Sequence, residues 1–414
     1  MQSQYHKTVL DNGLTIVSEQ IPAVRSVSIG VWVKTGTRFE CPRQMGVAHF
    51  LEHMMFKGTE RRTPRQIARS LESVGGHLNA FTSKELTCYF AEVLDEDLQR
   101  AVDVLSDILC HSTFPPKELE KERLVILDEI QGLEDSPEEL VQDFFVEKLF
   151  GNHSLSYPIL GRIETVSRIS REDLVNFYSQ HYLAPRVVVA AAGNVDHEHL
   201  VALCRRYFAF PEHNQPISLE PPQQFARGEY LIKRAINQVH VCAGVPAVAY
   251  GDPYQFHLLV LNTVLGGGMS SRLFQNIRER YGVAYAIYSF LDFYFDTGLL
   301  SVYLGTDRKN LARALKLLDR EFERLRKHPI STRELIEAKA QIKGNLMLGL
   351  ESTARRMTRL AKMEVYLNRF EDIDQTVERI NRVSQEELWH FTRRLLEEDR
   401  ILRVILLPQS DHAN

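Results

Sequence analysis

Val166-Ser167-Arg168-Ile169-Ser170-Arg171-Glu172-Asp173-Leu174 returns in altered form as Ile380-Asn381-Arg382-Val383-Ser384-Gln385-Glu386-Glu387-Leu388, about 214 residues later. Each copy is followed by a phenylalanine, Phe177 or Phe391, and then by a strand-like run, RVVVAAAG or ILRVILLP. The correspondence extends outward. Asp95–Leu109, a helix after the strand TCYFAEVL, parallels Asp307–Leu325 after GLLSVYLG. Pro115–Leu133 parallels Ser331–Gly349. A chain of 414 residues is long enough for two domains, and the repeat divides it into an N-terminal half, 1–211, and a C-terminal half, 228–414. Between them Glu212–Arg227, EHNQPISLEPPQQFAR, has proline three times and little periodicity, and reads as a linker. Each half mixes strands such as SVSIGVWV and QVHVCAGV with long helices. The expected fold class is therefore α+β: two homologous halves, each a mostly antiparallel sheet packed against helices on one face.

One feature breaks the symmetry. His49-Phe50-Leu51-Glu52-His53 places two imidazoles on one side of a helix, about one turn apart. Two neutral ring nitrogens held that way can grip one zinc ion. Glu52 can face the same metal without binding it, and can take a proton from a water there. The order is the inverse of the commoner H-E-x-x-H and reads as H-x-x-E-H. Solvated surface histidines are the alternative. The run Val47–Phe56 is apolar nearly all round, which points to a buried helix. Lys57-Gly58 supplies a basic last turn and a glycine stop. Unpaired polar groups in such a helix are expensive unless something satisfies them.

Two histidines leave a catalytic zinc one protein ligand short. The best donor lies in KELEKERLVILDEIQGL, Lys117–Leu133. Leu119, Glu122, Ile126, Glu129 and Leu133 form one stripe of an amphipathic helix. Glu122 and Glu129 interrupt it on the same face, two turns apart. Either can complete a metal site, or both can reach water at the border of the stripe. Glu120 and Asp128 point elsewhere. The C-terminal half lacks these groups: Ala338 aligns with Glu122, Asn345 with Glu129, and the histidine pair has no counterpart around Leu265.

Composition excludes several classes. Apolar content of 44% and charged content of 25% are ordinary for a globular protein. The net charge is −4 and basic residues come as scattered pairs such as Arg61-Arg62, so no nucleic-acid partner is expected. No apolar run approaches membrane-spanning length, and Val187–Ala192 reads as a buried strand. The N-terminus enters a hairpin-like LDNGLTIV directly, with no leader evident, which favours a cytoplasmic protein. Five cysteines (41, 88, 110, 204, 242) without C-x-x-C spacing read as reduced core thiols. Gly266-Gly267-Gly268 lacks the lysine of a phosphate loop and reads as a flexible loop ending in a serine helix cap at Ser270-Ser271. Gly75–Thr82 begins where a helix ends and continues into a strand, whose exposed edge can pair with an extended peptide.

Together these residues resemble the pitrilysin (M16) metallopeptidases, in their mitochondrial-processing-peptidase-like branch. The likeness rests on H-x-x-E-H with Glu129 following 76 positions after His53, and on Gly46–Met54 with Phe56-Lys57-Gly58-Thr59. It also rests on Gly75-Gly76, on Asn79-Ala80-Phe81-Thr82, and on Arg278 and Tyr285 within IRERYGVAY. It covers essentially the whole chain. The resemblance implies a zinc endopeptidase with His49, His53 and Glu129 as ligands, Glu52 as general base and Glu122 as a supporting acid beside the metal. It implies that Asn79 and Ala80 bind the substrate backbone, and that Arg278 and Tyr285 hold substrate carbonyls and stabilise the tetrahedral intermediate, hydrogen bonds that suit developing negative charge. It further implies a homodimer enclosing a chamber for extended peptides, with Arg278 and Tyr285 serving the partner's zinc site. A non-catalytic scaffold subunit of the same family is the alternative function, against which the intact ligands and base speak.

Overall fold

The computed structural model describes residues 4–213 and 219–409. Of the expected linker, positions 214–218 lie outside the described residues. Six strands form the first sheet: β1 (Gln4–Val9), β2 (Thr15–Gln20), β3 (Ser26–Val33), β4 (His77–Thr82), β5 (Thr87–Leu94) and β6 (Val187–Gly193), in the order β1-β2-β6-β3-β5-β4. The second comprises β7 (Gly228–Arg234), β8 (Val239–Ala247), β9 (Ala286–Phe293), β10 (Gly298–Thr306) and β11 (Leu402–Pro408), in the order β7-β11-β8-β10-β9. The helices of the first part of the chain are α1 (Val47–Met55), α2 (Pro64–Glu72), α3 (Leu98–Cys110), α4 (Pro116–Glu134), α5 (Pro137–Phe150), α6 (Ile163–Val166), α7 (Arg171–His181) and α8 (His197–Tyr207). Those of the second part are α9 (Gln255–Gly266), α10 (Leu311–Lys327), α11 (Thr332–Gly349), α12 (Thr353–Leu367), α13 (Ile373–Arg382) and α14 (Gln385–Leu395).

Without β1 the two sheets have the same strand order. Each contains one parallel pair at the same place, β2 with β6 and β7 with β11. The other pairs are antiparallel. The repeat in the sequence is thus a repeat in space, and the mostly antiparallel α+β halves are present. The duplicated segments become α7 and α14, each started by a serine, Ser170 or Ser384, whose hydroxyl accepts the backbone N–H of Asp173 or Glu387.

Strand alternation assigns the two faces of each sheet. Val27, Ile29, Val31 and Val33 of β3 join a core with Phe50 and Leu51 of α1 and Leu105 and Ile108 of α3. Ser28, Gly30 and Trp32 point the other way, against α12. Ser28 Oγ lies 2.8 Å from Thr353 Oγ1, and Trp32 Nε1 donates to Met357 Sδ at 3.3 Å. Arg356 pairs with Glu19 of β2 at 2.6 Å. In the second sheet Val239, Val241, Ala243 and Val245 of β8 face one core, while Cys242 joins Leu140, Val141 and Phe145 of α5 on the other side. Helices therefore lie on both faces of each sheet, one more layer than the sequence indicated.

Those outer helices have changed places. Gly132–Ser156, with α5, belongs to the second compact unit, and Leu348–Phe370, with α12, belongs to the first. The linear division 1–211 and 228–414 is corrected at these two segments. α5 and α12 are equivalent elements of the repeat, and equivalence alone does not say which copy of the sheet a helix covers.

Two local expectations also change. Among the glycines after α9, the chain runs into a π-helix, Phe274–Glu279, and Ser271 Oγ is buried without a hydrogen-bond partner instead of capping it. Cys41 is exposed, not a core thiol, whereas Cys88, Cys204 and Cys242 are buried. Among the described residues no helix is long and apolar enough to cross a membrane.

Gly30 and Gly244 let the outer helices sit close. A Cβ on Gly30 would lie 2.8 Å from Met357 Sδ and 2.8 Å from Trp32 Nε1, both side-chain atoms. On Gly244 it would lie 2.2 Å from the Leu300 carbonyl oxygen and 2.9 Å from the Phe145 ring. A methionine tail can turn aside, but a strand carbonyl cannot. Gly244→Ala is therefore expected to destabilise more than Gly30→Ala, within the range of about 1–3 kcal/mol typical of overpacking. Denaturant unfolding of the two variants beside the parent checks the order, and equal or reversed losses would contradict it.

Candidate metal centre

The helix bearing the histidines starts at a fixed point. Its N-cap is Gly46, in the left-handed region at φ +92° and without a side chain to cap the helix. The buried carboxylate of Glu40 does so instead, accepting the N–H groups of Gly46 and Ala48 at 2.8 Å each. Burial pushes Glu40 up to about 8, against the pull of those two donors. A Cβ at Gly46 would also meet the Leu160 carbonyl oxygen at 2.8 Å. Val47, Phe50, Leu51, Met54 and Met55 then bury themselves completely. His49, Glu52 and His53 occupy what remains of the surface, with the two imidazole centroids 4.6 Å apart.

α4 meets this surface with Leu119, Glu122, Ile126 and Ile130 buried. Glu129 lies beside that stripe, with 40% of its side chain exposed. Its Oε2 is 3.8 Å from His49 Nε2 and 3.8 Å from His53 Nε2. Among the described residues, these three form the cluster of His, Cys, Asp or Glu donors able to hold a metal, one atom from each lying within 4.8 Å of the others. The separations are too long for hydrogen bonds. Around a tetrahedral zinc with bonds of ~2.0–2.1 Å, ligand atoms stand roughly 3.3 Å apart. The donor set therefore fits a zinc ion with little adjustment. Burial, then the neighbouring His53, lowers His49 to about 3, so its ring is neutral and offers a lone pair.

Glu122 does something else. Its Oε2 lies 3.1 Å from His53 Nδ1, and its Oε1 lies 2.8 Å from Lys57 Nζ. An ionised carboxylate only accepts, so His53 carries its hydrogen on Nδ1 and keeps Nε2 free. Glu52 projects beside His53 and Glu129. Its Oε2 accepts from Thr82 Oγ1 at 2.5 Å. Burial raises its pKa, and the Thr82 hydroxyl opposes that rise.

The remaining candidate residues are placed as follows. Asn79 and Ala80 sit on β4, the edge of the first sheet, and Asn79 Oδ1 accepts the Ala80 N–H at 2.8 Å. The same strand ends at Thr82, in contact with Glu52. Arg278 and Tyr285 belong to the second unit. The Arg278 guanidinium lies 4.6 Å over the Phe274 ring, within the π-helix. Tyr285 is 57% exposed, just before β9. Three residues escaped sequence reasoning in these roles. Lys57 reads there as the basic last turn of a helix, Thr82 as one position of a strand, and Glu40 carries no motif. Only Lys57 left a trace: a cation one turn beyond His53.

Comparison with known proteins identifies the family. Residues 15–162 match the family model described as Insulinase (Peptidase family M16), and residues 168–342 match Peptidase M16 inactive domain. The uncharacterized zinc protease YmxG of Bacillus subtilis is 41% identical over 394 residues, covering 95% of this chain and 96% of its own. The uncharacterized zinc protease SCO5738 of Streptomyces coelicolor is 39% identical, with 96% of this chain and 89% of its own covered. A crystal structure of a protease from Helicobacter pylori has the same fold, with a TM-score of 0.92 at 20% identity, covering 98% of this chain and 100% of that one. With identity of this order along nearly its whole length, and family models matched in both halves, the chain belongs to peptidase family M16.

Proposed function

We propose that this protein is a zinc-dependent endopeptidase that cuts extended or unfolded peptides inside a chamber made by two subunits. The observation that carries the reading is the convergence of His49, His53 and Glu129 beside a Glu52 carboxylate that ligates nothing and is held from behind by Thr82. Relatives named as zinc proteases support it. When bound, zinc supplies Lewis-acid polarisation of the scissile carbonyl and of a water molecule. Glu52 takes the proton of that water as its oxygen attacks the carbonyl carbon. As the C–N bond breaks, Glu52 returns the proton to the leaving nitrogen. The exposed rim position of Glu129 keeps the centre open to a peptide.

The β4 edge supports main-chain recognition. An extended peptide added there makes backbone hydrogen bonds that are blind to side chains, with Asn79 and Ala80 as contacts. Size and flexibility then select substrates as much as sequence does. Arg278 and Tyr285, both exposed, are assigned to substrate carbonyls at the partner subunit's centre. An odd cysteine count without C-x-x-C spacing supports a reducing, cytoplasmic location.

Incubating the protein with a diverse peptide mixture and mapping the cuts by mass spectrometry tests the activity. Cleavage that stops with chelator and returns with zinc is expected, whereas no cleavage by zinc-loaded protein favours a scaffold. Glu52→Gln should retain zinc and lose at least about 100-fold in rate; parental turnover in that variant would remove Glu52 as the base. Mixing inactive Glu52→Gln with an inactive Arg278→Ala/Tyr285→Phe variant should restore part of the activity once subunits exchange. No recovery despite demonstrated exchange would mean that each site is complete within one chain.

A further inference from the structure

Lys57 does more than close the last turn of a helix. It stands just past the C-cap Phe56 of α1, one turn beyond His53, and its backbone N–H still donates to Met54 O at 3.1 Å. Its ammonium therefore moves with the helix that carries both histidines. It reaches across to α4 and meets Glu122 Oε1 at 2.8 Å. The other oxygen of the same carboxylate faces His53 Nδ1. Lysine, carboxylate and imidazole thus form one chain that ends on a nitrogen 3.8 Å from Glu129.

This is not an ordinary surface ion pair. Solvent-exposed pairs gain little because water competes for both partners. Here the Glu122 side chain is 8% exposed and both of its oxygens are engaged. Lys57 lies at the boundary, with 27% of its side chain exposed. The bridge also spans the two helices that must be in register for a metal to bind. Glu122 and Glu129 lie on the same helix, two turns apart. Fixing Glu122 against α1 therefore fixes where Glu129 falls relative to His49 and His53. Charge follows the same logic. Glu52, Glu122 and Glu129 surround two imidazoles, and a divalent cation neutralises only two of three carboxylates. The Lys57 ammonium supplies the third positive charge.

We infer that Lys57 is a positioning residue for the metal centre: through Glu122 it orients His53 and pre-sets α4 so that Glu129 meets both imidazoles. The inference rests on the reading of His49, His53 and Glu129 as zinc ligands. Outer partners of metal-bound histidines typically govern affinity by about 10–100-fold, and Lys57 reaches the metal only through Glu122. Its whole effect must therefore vanish when Glu122 can no longer transmit it.

The experiment is zinc titration of the purified full chain against a chromogenic chelator, for the parent, Lys57→Met, Lys57→Arg, Glu122→Gln and the Lys57→Met/Glu122→Gln double variant. Circular dichroism and thermal unfolding confirm that each is folded, and Lys57→Gln replaces Lys57→Met if the latter is not. Lys57→Met should bind zinc about 10–100-fold more weakly. Lys57→Arg, which keeps the charge, should recover most of that loss. The double variant should be no weaker than Glu122→Gln alone. Parental affinity in folded Lys57→Met, or losses that multiply in the double variant, overturns the inference while leaving the metal reading intact. A parent that takes up no zinc fails the metal reading, and the inference with it.

Discussion

Two imidazoles and three carboxylates lie where α1 meets the buried stripe of α4, and each has to be accommodated there. Placing even one charged carboxylate in such a setting without partners costs several kcal/mol, on the order of what a whole domain has to spare. Glu122 meets the requirement with a donor on each oxygen. Glu129 meets it by staying at the rim. His49 remains neutral because burial disfavours its charged form. A helix rotates by about 100° per residue, so slipping α1 by one position would carry the histidines away from α4. The left-handed turn at Gly46 and the two hydrogen bonds to Glu40 prevent that slip. The candidate metal centre is thus first a solution to a packing problem between α1 and α4.

The sheet gives the solution its third side. β4 is an edge strand, with a strand neighbour on one side only among the described residues. The strand nevertheless ends against α1, where Thr82 donates to Glu52. The edge strand is therefore joined through Thr82 to the Glu52 side chain. Behind it, the sheet is stiffened by the outer helix α12, which brings Met357 onto Trp32 and Arg356 onto Glu19. Arg38 and Glu85 form a further pair at 2.6 Å, each with 1% of its side chain exposed. A pair so deeply buried does little for net stability, but it ties the 3-10 turn Thr37–Phe39, which follows β3, to the β4–β5 hairpin that presents Thr82.

Much of this was legible in the sequence because it follows from local periodicity. The spacing of His49, Glu52 and His53 places them on one helical face, and α1 spans Val47–Met55. The stripe through Leu119, Glu122 and Ile126 announced α4, and the duplicated segment around Ser170 and Ser384 announced the two halves. The features that were not legible depend on which distant surfaces meet. Equivalent helices α5 and α12 carry no mark of which sheet copy they cover. A lysine after a helix looks like a terminus whether it points to water or to Glu122. Thr82 is an unremarkable strand residue until the sheet order brings it to α1. Ser271 looked like a cap because serine often is one, but its hydroxyl is buried and unpartnered as the chain enters a π-helix.

The second half shows how separable scaffold and site are. α11 repeats α4, yet Ala338 stands where α4 has Glu122, and it is 4% exposed. An alanine there asks for no donor, so the half needs no counterpart of Lys57 or of the histidine pair. Leu258, Leu261 and Leu265 of α9 are completely buried and satisfy their side of the core by apolar contact alone. The two sheets keep the same order and the same single parallel pair regardless. Nothing in the sheet therefore requires the polar cluster, and nothing in the apolar core creates it. The first half retains a costly set of charges that its twin folds without, and such retention calls for a function rather than a structural explanation.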